Sequence, residues 1–349
     1  MEKVRNSNME MLRLLAMFMV LVYHADFLSL GVPKMNFAMN ASQWIDSSLR
    51  FLIQSACVVC VNVFVMLSGW FGIRPKLDRF ISFLFQVTFF TIVGIFVNVM
   101  FVGHHLCFDD LKNLFMLNDN LWFPKSYLLL YLFSPVLNAF VERTSKRHFR
   151  ILLIGIIAFQ MIYGWLSRGV AWYMGGYSCI FFMELYLLAR YVRLHVDYLH
   201  YSKKFIILSY AICCVVIACI WMWLMAKNID VTRFLNVYTQ PFAILGALLL
   251  IMLFSKFNYQ SKIVNKIAGS CFAVYLFHCA PDMLQHFSCA IANLHEENNL
   301  LMFIFYALLL IVVVYSVAIL LDQVRIWLWN MVHLSSIYSK SINKCQTYL

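Results

Sequence analysis

The feature that most constrains this chain is a succession of long, unbroken apolar stretches at residues 9–28, 49–71, 80–102, 121–141, 149–166, 171–189, 205–226, 234–254, 271–292 and 300–321. A run of about 20 apolar residues crosses the ~30 Å hydrocarbon core of a bilayer as a helix. Because the runs are continuous and do not alternate with period two, a transmembrane β-barrel is excluded. The chain is 63% hydrophobic and 12% charged, where soluble domains carry roughly 25% charged residues. That balance excludes a soluble enzyme, a disordered chain and a nucleic-acid binder. The expected fold is all-α: a polytopic membrane bundle of about ten transmembrane helices. It forms a single transmembrane domain over residues 1–330, with a short polar tail at 331–349.

The orientation follows from the cations. The chain holds 27 Lys and Arg against 16 Asp and Glu, and cytoplasmic loops collect Lys and Arg. With the N-terminus in the cytoplasm, nineteen cations fall in inner segments, seven fall in outer segments, and Arg13 lies inside the first span. Both termini are therefore expected in the cytoplasm. Lys3 and Arg5 precede the first apolar run, but no small-x-small cleavage site follows Ala25, so this run reads as a retained signal anchor. Most of the 11 cysteines lie within spans, where a free Cys behaves as a small hydrophobe. Cys57-x-x-Cys60 has no second pair at zinc spacing, so it reads as packing, and no metal site is expected.

Ionisable groups within the spans point to function. Each costs on the order of 2.5–3.5 kcal/mol at the helix centre, so each needs a reason. They include Glu10, Arg13, His24, Glu184, His278, Asp282 and His286. Arg13 and His24 are eleven residues apart, which places them on one helical face ~16 Å apart along the axis. Glu10 can pair with Arg13. The alternative is that Glu10 and Arg13 anchor the helix at the interface while His24 bonds a neighbouring helix. His278, Asp282 and His286 are spaced four apart on one face, with Pro281 interrupting the backbone ladder. Glu184 is expected to face the interior, with Arg190 as its candidate partner.

Four segments in order resemble the integral-membrane acyltransferase family 3. The first is Asn8-Met9-Glu10-Met11-Leu12-Arg13, continuing to Tyr23-His24. It is similar to the family's first helix, in which ten positions separate a basic residue from a His. The others are Phe64-Val65-Met66-Leu67-Ser68-Gly69-Trp70; Leu121-Trp122-Phe123 with Tyr127 and Leu128; and Ser270-Cys271-Phe272-Ala273-Val274-Tyr275-Leu276-Phe277-His278. Two departures stand out. The family often has two or three arginines followed by a proline after the Ser-Gly segment, where this chain has Arg74-Pro75-Lys76-Leu77-Asp78-Arg79. Glu184 occupies a position where Gly is common.

The resemblance implies an O-acyltransferase of the bacterial cytoplasmic (inner) membrane. Such enzymes move an acyl group, usually acetyl, from cytoplasmic acyl-CoA to a hydroxyl of an extracytoplasmic glycan or glycolipid. Acetyl-CoA would then be a cosubstrate, and no cofactor would be bound permanently. His24, Arg13, Tyr275, His278 and Asp282 are the implied catalytic group. Arg13, Ser68, Arg74, Lys76 and Arg79 would meet the donor. Trp122, Phe123 and Tyr127 would meet the acceptor. His24 would serve as general base or as the carrier of a covalent acyl group. Ser68, Tyr275 and Trp122 are candidate oxyanion donors, but Ser68-Gly69 equally suits a close helix crossing and Trp122 an interfacial belt. His104, His105, Asp109, Asp110 and Asp119 supply polar groups on the same outer loop, either for a glycan or as solvated surface. The rival class is a transporter or flippase of a lipid-linked sugar, which also places charge around broken helices. Oligomeric state is left open, a homodimer included.

Overall fold

The computed structural model describes residues 6–36, 39–118, 121–167, 172–227 and 237–331, and the described residues contain helices and no strands. The expected tail after residue 330 falls almost wholly outside them, as do Asp119 and the beginnings of the expected spans at 171 and 234. Among the described residues six helices or helix pairs are long and apolar enough to cross a membrane, and a seventh candidate is a bent pair. In the segments expected to span at 121–141, 171–189 and 234–254 lie the helices Trp122–Arg143, Cys179–His195 and Pro241–Ser255, which are shorter or more polar than the rest. The chain is an integral membrane protein built from helices.

Its contacts separate it into two units. The first comprises residues 1–73 and 126–268, and the second 74–125 and 269–349. Within the first unit lie α1 (Ser7–Tyr23), α2 (Ala41–Cys57), α3 (Cys60–Phe71), most of α6 (Trp122–Arg143), α7 (Lys146–Phe159), α8 (Cys179–His195), α9 (Lys203–Ala226), α10 (Pro241–Ser255) and α11 (Lys262–Gly269). Polar residues in the turns start several of these helices. The side chains of Ser145, Ser178 and Ser202 accept from the backbones of His148, Phe181 and Phe205, satisfying amides that the first helical turn leaves unpaired. Asn40 and Gln43 form a reciprocal capping box on α2.

At the centre of this unit, α3 packs on α8, α1 and α10, and α9 packs on α10 and α2. The tightest crossing is between α3 and α8. A Cβ at Gly69 would lie 2.5 Å from the carbonyl oxygen of Tyr186. Where lipid is as apolar as the core, such close backbone approach is what draws helices together. Of the two roles open to Ser68-Gly69, crossing point is therefore the role of the glycine.

The second unit holds α4 (Leu77–Val97), α5 (Phe108–Leu114), α12 (Cys271–His278), α13 (Met283–Glu297) and α14 (Leu300–Met331). α12 packs on α14, α4 and α13. α14 is tied to α4 through Asp322, which accepts from Gln86 at 3.0 Å and pairs with Arg325 at 2.6 Å. Pro281 has no amide to continue the ladder. The chain breaks there, Asp282 takes a positive φ of 58°, and the two arms meet at 83°. A Cβ at Gly94 of α4 would come within 2.7 Å of the Ala280 side chain, so the break nests against a glycine.

The crossing gives a test. Gly69→Ala forces a methyl into backbone and should destabilise the protein by about 1–3 kcal/mol, the range for overpacking. Gly155→Ala, where nothing lies within 4 Å, should melt as wild type. Equal melting temperatures for the two purified variants in one detergent would refute the crossing.

Candidate active site

α1 carries the first group of candidate residues. Arg13 pairs with Glu10 at 2.5 Å, as their spacing predicts. The helix then runs unbroken to His24, where five residues, His24–Leu28, wind into a π-helical turn. π-turns inside α-helices are frequent at functional sites. The looser winding re-aims the backbone, and Ser29 meets the His24 carbonyl through both its hydroxyl, at 2.7 Å, and its amide, at 3.1 Å. Just beyond, Asp26 pairs with Arg50 of α2 at 2.5 Å, and Arg50 also donates to the Gly31 carbonyl. Gln54, fully buried, reaches the Tyr23 carbonyl at 3.5 Å. The half-buried His24 thus sits on a turn fixed from both sides.

The same unit brings Ser68 and Tyr127 together, their hydroxyls 3.0 Å apart. Arg13 is near enough to act electrostatically on Tyr127. Ser68 and Tyr127 are thus bonded within electrostatic reach of Arg13, although the sequence pattern assigns Arg13 and Ser68 to the donor and Tyr127 to the acceptor. Ser68 is also 3.2 Å from the Phe64 carbonyl. With Tyr127 as a second partner, it serves as a post for the tyrosine.

In the second unit, Phe123 lies 5.8 Å from Trp122, 5.5 Å from Tyr275 and 6.2 Å from Phe272, ring centroid to centroid. Tyr275 stacks almost parallel on Phe272. Among the aromatic candidates of the second unit, Trp122, Phe123 and Tyr275 thus share one wall, while Tyr127 falls in the first unit. Arg74, Lys76 and Arg79 are exposed around the start of α4.

Two expectations need correction. His278 and Asp282 do not share a helical face, because α12 ends at His278 and the chain turns before α13. His278 is buried, its ring edge-on to Phe287 with centroids 4.6 Å apart. The Asp282 carboxylate instead accepts from Asn98 of α4 at 3.1 Å. The second correction concerns Glu184, which does not pair with Arg190. Its buried carboxylate faces Tyr173, since six residues of helix turn it well away from Arg190.

Asn98 and Asp26 are the residues that the sequence pattern does not single out. Asn98 begins a π-turn, Asn98–Val102, at the end of α4. It donates to the Pro281 carbonyl at 2.9 Å and to Asp282, and its side-chain oxygen is 3.0 Å from His286 Nε2. One buried amide thereby holds the carbonyl, carboxylate and imidazole around the break. The available signal was a lone amide inside an apolar run, Val97-Asn98-Val99.

On the loop before α5, the donor atoms of His104, Cys107 and Asp110 lie within 4.8 Å of one another and could approach a metal ion. The arrangement is already complete without one. Asp110 takes hydrogen bonds from His104 and from the Cys107 amide, both at 2.9 Å, and closes the cap of a seven-residue helix. Burial acts to raise the Asp110 pKa, but the hydrogen bonds from Cys107 and His104 outweigh it and leave the carboxyl below its ordinary range. Between α4 and α5 a cleft of about 300 Å³ is lined by Ile92, Ile95, Phe96, Val99, Leu106, Asp110 and Leu114, too apolar a surface for a sugar.

The Arg13–His24 spacing on α1 and the segments holding Ser68, Trp122–Phe123 and Tyr275 are those that resemble acyltransferase family 3. Residues 6–322 match its acyltransferase domain, and the chain belongs to that family. It is therefore a membrane acyltransferase. No curated protein and no solved structure matches the chain.

Two predictions follow from these contacts. Asp282→Asn keeps an acceptor and tolerates a positive φ, so it should melt close to wild type. Asn98→Leu strips contacts from the buried Pro281, the half-buried His286 and the exposed Asp282 and should cost about 1–3 kcal/mol. If the two variants melt alike, Asn98 does not hold the break. For Asp110 the sign is that of a depressed carboxyl: its contribution is present above the ordinary aspartate pKa of 3.8 and is lost as pH falls below it. Limited proteolysis of the 103–118 loop should therefore run alike at pH 7 and pH 5 and accelerate in Asp110→Ala. Faster cleavage of the wild type at pH 5 would contradict that window.

Proposed function

We propose that the protein is an O-acetyltransferase of a bacterial cytoplasmic membrane. It moves acetyl from cytoplasmic acetyl-CoA to a hydroxyl of an extracytoplasmic sugar or polysaccharide. The observation that carries this reading is α1 itself, a continuous helix with an arginine near one end and, eleven residues on, a histidine at a π-turn. The arginine end suits an anionic, cytoplasmic donor. In unit 1, segments assigned to inner loops gather at that same end. Ser7 and Asn8 bond the 257–261 segment, Lys203 lies over Phe257, and Lys256 donates to the Leu199 carbonyl at 2.7 Å.

The thin pantetheine arm would pass Arg13, Ser68 and Tyr127 and bring its thioester toward His24. An acceptor hydroxyl then attacks the thioester carbonyl while the His24 imidazole takes its proton. The tetrahedral adduct collapses, the C–S bond breaks, and the proton passes to the departing CoA thiolate. An acyl-histidine route runs through the same residue in two transfers. Trp122, Phe123 and Tyr275 offer aromatic faces on which a sugar ring can stack. A single domain over residues 1–330 would carry the whole reaction. The bend at Pro281 is the one feature that also suits a transporter of a lipid-linked sugar, and that reading requires substrate movement with no acyl transfer.

The test uses purified variants matched in folding. His24→Ala should lose acetyl transfer by about 100-fold or more, the worth of a general base, with acetyl-CoA affinity near wild type. Arg13→Ala should weaken donor affinity, and Arg13→Lys should restore part of it. Retained turnover in His24→Ala would remove the proposed mechanism. In cells, mass spectrometry of surface glycan should show an acetyl lost with the deletion.

A further inference from the structure

The last two turns of α8 carry Arg190 and Arg193, three residues apart on one face, against the end of α3. Their charges act on one another, and like charges at this spacing destabilise a helix unless something offsets them. Arg193 has its reward within the fold: it donates to the Trp70 carbonyl and lies over the Trp70 and Phe71 rings, at 5.8 and 5.3 Å. It therefore caps α3, where a cation is favoured.

Arg190 has no such role. Among the described residues it meets no carboxylate and no hydrogen-bond acceptor, and its Nε is shielded from solvent without a partner. It sits over Gly72, whose φ is +76° and whose missing Cβ would lie 3.2 Å from the guanidinium. The Gly72 seat is rigid. Tyr186 accepts from the Ile73 amide at 3.0 Å and donates to Asn138 at 2.6 Å, and Asn138 in turn donates to the Ile73 carbonyl at 2.7 Å. A guanidinium held in place, half-buried, beside a second cation and with no anion of its own is arranged to receive one.

We propose that Arg190, supported by Arg193, is a phosphate seat at this end of the first unit, and that its occupant is a phosphate of the CoA donor. The choice of occupant rests on the acyl-CoA reading above, whereas the seat does not. An anionic phospholipid headgroup offers the same chemistry, so the experiment separates the two.

Purified wild type, Arg190→Gln and Arg190→Lys would be titrated with inorganic pyrophosphate and with CoA by calorimetry. Anionic lipid bound to each would be counted by native mass spectrometry. Melting without ligand checks folding, and because Arg193 keeps the α3 cap, Arg190→Gln should fold. The expected result is about tenfold or greater loss of pyrophosphate and CoA affinity in Arg190→Gln, partial recovery in Arg190→Lys, and unchanged lipid retention. Wild-type pyrophosphate affinity in Arg190→Gln would overturn the seat. Loss of bound lipid with unchanged CoA affinity would overturn the donor as occupant. Should wild type bind pyrophosphate through Arg190 but not CoA, the acyl-CoA reading fails and the seat stands.

Discussion

A backbone group released from a helix inside a bilayer has no water to bond, and the interruptions of this fold depend on how that need is met. Buried amides meet it repeatedly. Gln54 reaches the Tyr23 carbonyl before the π-turn of α1, and Asn62 donates to the Tyr238 carbonyl. Gln160 donates to the Thr239 carbonyl, and Asn98 to the Pro281 carbonyl at the break between α12 and α13. All four are at most 2% exposed, so each is committed to the backbone it serves. An amide suits the task because it donates strongly without carrying a charge.

Two of the candidate histidines lie at these same interruptions. His24 opens the π-turn of α1, and His278 closes α12 before the break. A residue at such a point escapes the regular register of its helix, so its side chain is aimed by the local repair. Around His24 the repair includes the Asp26–Arg50 pair and Ser29; around the break it is Asn98 with Asp282 and His286. In the proposed mechanism the chemistry falls to His24. The helix interruptions give them their geometry.

The Arg13–Glu10 pair was legible in the sequence because both residues lie on one unbroken helix, where spacing converts directly into contact. The His278–Asp282 pair was not, although its spacing is equally suggestive. Pro281 intervenes, and the spacing rule holds only along a continuous helix. Glu184 and Arg190 illustrate a different limit. Neither has a partner encoded nearby, so only packing shows that the first faces Tyr173 and the second Gly72.

The sequence by itself determined the membrane class, the all-helical architecture, the family and the spacing of Arg13 and His24. Composition and the unbroken apolar runs carry the first two, ordered motifs carry the family, and residue spacing carries the last; none depends on what lies across the bundle. Tertiary structure alone decided that Tyr127 stands with Ser68 and Arg13, that Phe123 stands with Tyr275, and that Asn98 holds the broken helix. Those contacts join residues 59 to 183 positions apart and depend on side-chain direction at helix crossings. In a chain where 63% of residues are hydrophobic, many faces could pack equally well by polarity. Crossing points such as Gly69 against Tyr186 select which of them meet.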